Sequence, residues 1–235
     1  MSGLGTLINM AGIVLGGFIG LFFGRYLSET MQKSLVAVTG VCVLLIGILG
    51  LASEMLIVTD GKLTCANPLM LILCLVLGTA VGEWFDLEAW IERFGVWLKA
   101  RSGSEKDPGF LNAFVCIGAM AVVGAVEDGL SGNIAMLEAK AVLDAIIIMV
   151  MAASLGRGCL FSAIPVGLLQ GSMTVLAVWL KPFMTEAVLS AISAVGSAMI
   201  FCVGLNLVFA LKIRVANTLP ALVLAVLWAS LHISF

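Results

Sequence analysis

Charge is what this sequence has least of. Only 11% of its 235 residues are charged, where soluble domains carry roughly a quarter. That scarcity excludes a soluble domain of useful size. With 14 acidic residues against 12 basic ones and a net charge of −2, it also leaves no basic surface for a nucleic acid. Histidine is nearly missing: His232 stands alone, so general acid–base chemistry would rest on carboxylates and Lys140. The six cysteines show no C-x-x-C spacing and, Cys65 apart, lie in or beside apolar runs. Each reads as a small buried hydrophobe, and neither a disulfide framework nor a metal site is expected. There is no H-E-x-x-H, phosphate-binding glycine loop or G-x-S-x-G elbow, so an enzyme is not expected and no cofactor is implied.

What fills the chain is hydrophobicity: 62% of residues are apolar and the mean hydropathy is +1.19. A hydrocarbon core of about 30 Å takes about 20 apolar residues as a helix. Eight runs approach that length: Leu4 to Gly24, Leu35 to Val58, Ala66 to Gly82, Phe110 to Val126, Ala139 to Leu155, Gly158 to Leu180, Ala187 to Leu211 and Val215 to Ile233. The fold class is therefore all-α, a polytopic transmembrane bundle of about eight spans. Seven is the alternative, because the fourth run is short and the fifth carries Lys140 and Asp144, so that either is open to a broken or re-entrant reading. The first run has no basic residue before Arg25 and no small-residue cleavage site, so it reads as a retained helix.

With the N-terminus outside, Arg25, Lys33, Arg93, Lys99, Arg101, Lys106, Arg157, Lys212 and Arg214 fall on the inner side, against Lys62, Lys140 and Lys181 outside. The positive-inside rule thus places both termini outside.

Between the third and fourth runs, Glu83 to Arg101 carries Trp84, Leu87, Ile91, Phe94 and Leu98 at three- and four-residue spacing, flanked by Trp90 and Trp97. Acidic residues come early in this segment and basic ones late, which suits the helix macrodipole. It reads as an amphipathic helix lying on the cytoplasmic face of the membrane. Ser102 to Gly109 follows as a loop.

Two segments suggest an internal repeat. Ser34 to Ala52 aligns with Ser190 to Ala210, placing Gly47 near Gly204, and Ala66-Asn67-Pro68-Leu69 parallels Ala216-Asn217-Thr218-Leu219-Pro220. If runs one to three correspond to runs six to eight, the topology makes the repeats inverted, a device of transporters and some channels. The single membrane domain, residues 1–235, then divides into a three-helix unit (1–82), the amphipathic helix and loop (83–109), a polar central hairpin (110–157) and a second three-helix unit (158–235).

Gly12, Gly16, Gly20 and Gly24 form a four-residue stripe that lets another backbone approach the first helix closely. The partner is either another helix of this chain or a second subunit of a homo-oligomer. Polar residues within the apolar runs are expensive and face the bundle interior. They are Asn9, Lys140, Asp144, Gln170, Asn206 and Asn217, with Glu127 and Asp128 closing the fourth run and Asn133 just beyond. Lys140 and Asp144 share a helix face. Val126 to Asn133 (VEDGLSGN) interrupts the apolar sequence, either as non-helical backbone lining a cavity or as an extramembrane turn with solvated acids. Within it, Gly129 to Gly132 reads G-x-S-G, but a Ser131 nucleophile needs a base within reach and His232 lies at the end of the last run, so the match is taken as coincidental.

The segments GTLINMAGIVLGGFIG, GAVEDGLSGN, KAVLDA, SAIPVGLLQG, GLNL and VANTLPAL together resemble the uncharacterised bacterial inner-membrane family typified by YqgA, over the whole length. That resemblance implies a multi-pass protein of the bacterial inner membrane without an established activity, so no site residue carries over. It also implies that Asp128, rather than Glu127, is the functional carboxylate of the pair. The polar residues at apolar depth point to a transporter or channel for a small solute or ion, with the lipid bilayer as its other partner. The alternative is a non-transporting scaffold that acts through helix packing.

Overall fold

Within hydrocarbon, a helix satisfies every backbone N–H and C=O inside one segment, so long charge-poor runs become helices. The structure, a computed structural model, describes residues 2–23, 28–59, 62–90, 93, 119–130, 132, 134–181 and 185–231. Along these run α1 (Leu4–Phe23), α2 (Glu29–Met55), β1 (Leu56–Thr59), β2 (Lys62–Cys65), α3 (Pro68–Phe85), α4 (Ala119–Leu130) and α5 (Ala135–Leu155). A 3₁₀ turn (Arg157–Ser162), α6 (Ala163–Leu180), α7 (Glu186–Phe209), a second 3₁₀ turn (Val215–Thr218) and α8 (Pro220–Ser230) follow. Among the described residues, α1, α2, α3, α6 with its leading turn, and α7 are long and apolar enough to cross a membrane. The chain is an integral, all-α membrane protein.

Four boundaries differ from the sequence reading. The second run ends as a helix at Met55 and continues into an antiparallel hairpin that pairs Leu56 with Cys65 and Thr59 with Lys62. The fourth helix does not break at Val126: it continues through Leu130, carrying Glu127 and Asp128 in its last turns. The eighth opens as a 3₁₀ turn, and its α-helical part is 11 residues, a rise of about 16 Å. The segment beginning at Glu83 is split, because α3 extends through Phe85 and Asp86 takes a left-handed conformation that closes it, its N–H bonding to the carbonyls of Glu83 and Gly82. Helix resumes at residues 87–90. The remainder of the expected amphipathic helix, apart from Arg93, lies outside the described residues, as do the loop Ser102 to Gly109, Gly24, Ser131, Asn133 and His232.

The chain forms two compact units, Met1–Thr39 with Ala89–Pro182, and Gly40–Glu88 with Phe183–Phe235. In the first, α1 lies along α5. A Cβ at Gly12 would stand 2.8 Å from the Ala141 carbonyl oxygen, and Cβ atoms at Gly16 and Gly20 would strike the Ala145 and Met149 carbonyls. Gly12, Gly16 and Gly20 are therefore covered by a helix of the same chain, one of the two partners open to the stripe in sequence. The numbering climbs in step on both helices, so α1 and α5 are parallel. Ile13, Ile148, Ala152, Cys159, Ala163 and Val166 form the apolar core beside this seam.

In the second unit α7 is the central element, buried along Ala194–Ile200. It begins where the Thr185 hydroxyl accepts the Val188 N–H at 3.3 Å, with Glu186 in the first turn. Gly47 stands where a Cβ would meet the Phe201 backbone, and Gly204 does the same against Leu44, so α2 runs antiparallel to α7. Gly78 and Gly82 abut Ala221 and Asn217, so α3 runs antiparallel to the Val215–Ser230 segment. Pro68 and Pro220 each open their helix. In the first unit Gly167 packs on Met10 and Gly17 on Leu160, making α1 and α6 antiparallel too. Runs one and six, two and seven, and three and eight thus pack in opposite directions, as any two spans five apart in an alternating bundle do.

Candidate functional site

The polar residues singled out in sequence divide between the two units and are used differently in each.

In the first unit they face inward. Asp128, Asp144, Asn9 and Gln170 have no solvent exposure, and Lys140 is 4% exposed. Lys140 and Asp144, one turn apart in the second and third turns of α5, form an ion pair: Nζ donates to Oδ1 at 2.9 Å and lies 2.8 Å from Oδ2, at an angle outside the hydrogen-bonding range. Asn9 Nδ2 donates to Gln170 Oε1 at 3.2 Å, joining α1 to α6. The Gly3 N–H donates to Asp128 Oδ2 at 3.0 Å, joining the start of α1 to the end of α4. Thr174 Oγ1 donates to the Ala125 carbonyl at 3.1 Å, joining α6 to α4. Glu127, beside Asp128, is half-buried.

These bonds leave a residue of unmet demand. Asp128 Oδ1, Asn9 Oδ1, Gln170 Nε2 and Thr6 Oγ1 are buried without a partner. A buried polar atom without a hydrogen bond costs about 1–3 kcal/mol, and several in one place mark a site that something else completes. An open, largely apolar groove of about 670 Å³ between α1 and α6 reaches Thr6 and Thr174 and is walled as well by Gly3, Met10 and the exposed Leu7, Val175 and Trp179.

In the second unit the polar residues close turns. Asn206 Nδ2 donates to the Ile213 carbonyl at 2.8 Å, and its Oδ1 accepts the Ile213 N–H at 3.0 Å, clamping the connection after α7. Asn217 Oδ1 accepts the Glu88 N–H at 2.7 Å, where helix restarts after α3. Arg214 bonds to Glu83 Oε2 at 2.8 Å and to Asp86 Oδ1. The Asp86 hydrogen bond holds its guanidinium further above its ordinary range.

Thr6 and Thr174 were missed in sequence, where hydroxyls in apolar runs are unremarkable. The available signal was spacing: Thr6 lies one turn before Asn9, and Thr174 one turn after Gln170.

The chain is 30% identical to the uncharacterized protein YqgA of Escherichia coli (strain K12) over 234 residues, covering 94% of each. It is 27% identical to the uncharacterized membrane protein YdfK of Bacillus subtilis (strain 168) over 222 residues, covering 94% of this chain and 93% of the relative. No solved structure matches it. The family model described as "Protein of unknown function (DUF554)" matches residues 4–230. The family resemblance read in the sequence therefore holds along the chain, which belongs to the DUF554 family.

Proposed function

We propose that the protein is a transporter for a small solute or ion in the bacterial inner membrane, with both termini on the periplasmic side and the interior of its first unit as the route. The observation that carries this reading is the set of buried polar atoms in the first unit: an ion pair in the second and third turns of α5, and four unpartnered atoms on α1, α4 and α6. Ionisable groups at membrane depth are costly and mark ion, proton or substrate pathways.

The test is flux in proteoliposomes across a panel of amino acids, carboxylates, sugars and alkali cations, with and without ion gradients. The wild-type protein is expected to move at least one of them, and Asp144→Asn is expected to change that flux. Wild-type flux equal to that of empty liposomes across the panel would sink the reading. The rival is a scaffold that acts through helix association. It is supported if no solute moves and Asp144→Asn leaves the folded protein and its assembly unchanged.

A further inference from the structure

The hydrogen bonds of the first unit close on themselves. Asp128 is bonded to Gly3; Thr6 lies one turn beyond Gly3 on α1, and Asn9 one turn beyond Thr6. Asn9 is bonded to Gln170; Thr174 lies one turn beyond Gln170 on α6 and is bonded to Ala125, which lies one turn before Asp128 on α4. Three or four residues advance about 4.5–6 Å along a helix axis, so three helices enclose a small ring. Thr6 is 5% exposed and Thr174 4%, and the other side chains on the ring have no exposure.

The atoms left over are mostly oxygens. Asp128 Oδ1, Thr6 Oγ1 and Asn9 Oδ1 have no partner. Thr174 Oγ1 spends its proton on the Ala125 carbonyl and keeps its lone pairs. Exchanging the two amide orientations leaves one oxygen and one nitrogen of the Asn9–Gln170 pair free in either case. Carboxylate, amide and hydroxyl oxygens suit hard cations and not soft ones.

Charge then decides the valence. Lys140 is already committed to Asp144 on α5. Glu127 immediately precedes Asp128 on α4 and is only half-buried. Asp128 contributes one negative charge to the ring and meets no cation among the described residues. A single positive charge balances it, whereas a divalent ion would leave an excess buried charge.

We infer that Asp128, Thr6, Asn9 and Thr174 form a binding site for one dehydrated alkali-metal cation, entered from the groove between α1 and α6. Its role, as the ion that is carried or that couples transport, rests on the transport reading; its binding does not.

The experiment is thermal unfolding of the purified full-length protein in detergent, followed by tryptophan fluorescence, in sodium, potassium or choline chloride at one fixed ionic strength. A ligand that binds only the folded state raises Tm in a saturable way. Sodium or potassium is expected to raise Tm over choline. Asp128→Asn, which keeps an acceptor for Gly3, should abolish the rise, and Thr6→Val should weaken the apparent affinity about tenfold, the loss of one oxygen ligand to a charge. Thr39→Val is the control, since that hydroxyl is spent on the Leu35 carbonyl of its own helix, and it should keep the full rise. If Asp128→Asn does not fold, Thr6→Val decides. Equal Tm in all three salts overturns the site, as does a rise that survives in Thr6→Val at wild-type affinity. A Tm that follows pH while ignoring sodium and potassium also overturns it, in favour of a proton. Alkali-ion stabilisation without flux of any solute would refute transport and leave the site standing. Flux without any such stabilisation would do the reverse.

Discussion

The same residue type does opposite work in the two units. Asn206 and Asn217, in the second unit, use their side chains to mimic backbone and close chain turns. Asn9 and Gln170, in the first, bridge two helices side chain to side chain, though one amide atom of each is left unmet, as is Asn217 Nδ2 in the second unit. Position explains the difference. Asn206 is in the last turn of α7 and Asn217 is in a 3₁₀ turn, where free backbone groups compete for a partner. Asn9 and Gln170 lie inside helices whose backbone is already paired, so their polarity is turned toward neighbouring helices. Among these amides, those inside helices reach to a neighbouring helix and those at helix ends close turns.

The largest effect should come from the glycine seams, where the units behave alike. Gly16→Leu drives a side chain into the Ala145 carbonyl, and Gly82→Leu drives one into the Asn217 carbonyl. Neither collision is with a group that can swing away. Size-exclusion profiles of both variants should show loss of the folded, monodisperse protein, while Gly171→Ala, with nothing within 4 Å of the new methyl, behaves as wild type. A well-folded Gly16→Leu would break the parallel α1–α5 pairing.

Next comes the ion pair, which has no counterpart in the interior of the second unit among the described residues. Asp144→Leu strands the Lys140 ammonium in the interior, at a cost of about 3–5 kcal/mol. The double variant Lys140→Met with Asp144→Leu should recover most of that loss in a denaturant or thermal titration, because an apolar pair of similar volume replaces a desolvated one. Under the transport reading it should also be inactive. A double variant as unstable as the single one would mean the pair is tied to further groups, and the contrast between the units would then be one of packing.

The smallest effect should be in the second unit. Asn206→Leu leaves the Ile213 N–H and C=O without their partner, an expected loss of about 1–3 kcal/mol, with flux unchanged once the protein is folded. Flux that falls in Asn206→Leu at full folding would erase the division of labour between the units.

The helical spans were legible because hydrocarbon demands a length and a polarity that composition reveals directly. The hairpin was legible too and went unread: Leu-Ile-Val-Thr, Asp60-Gly61 and Lys-Leu-Thr-Cys form the pattern of β-prone residues around a two-residue turn, hidden by its attachment to an apolar helix. The end of α4 was not legible. Glu127, Asp128 and Gly129 read as a helix break or a solvated turn, yet Gly129 lies where a Cβ would stand 2.6 Å from the Ala177 side chain and 2.7 Å from the Thr174 carbonyl. Close packing of α4 on α6 holds that segment helical and brings Asp128 inside.

By itself the sequence determined a membrane-embedded helical chain, the approximate spans, the close-packed face of α1 and the few charges needing a reason. Those follow from local composition, since lipid is the solvent for each segment separately. Only the tertiary structure decided that α1 lies parallel to α5, that Asn206 and Asn217 close turns, and that Thr6, Asn9, Asp128 and Thr174 share one ring. Side chains more than a hundred residues apart meet only when helices pack, and the packing is set by backbone contact at glycines, which no single segment contains.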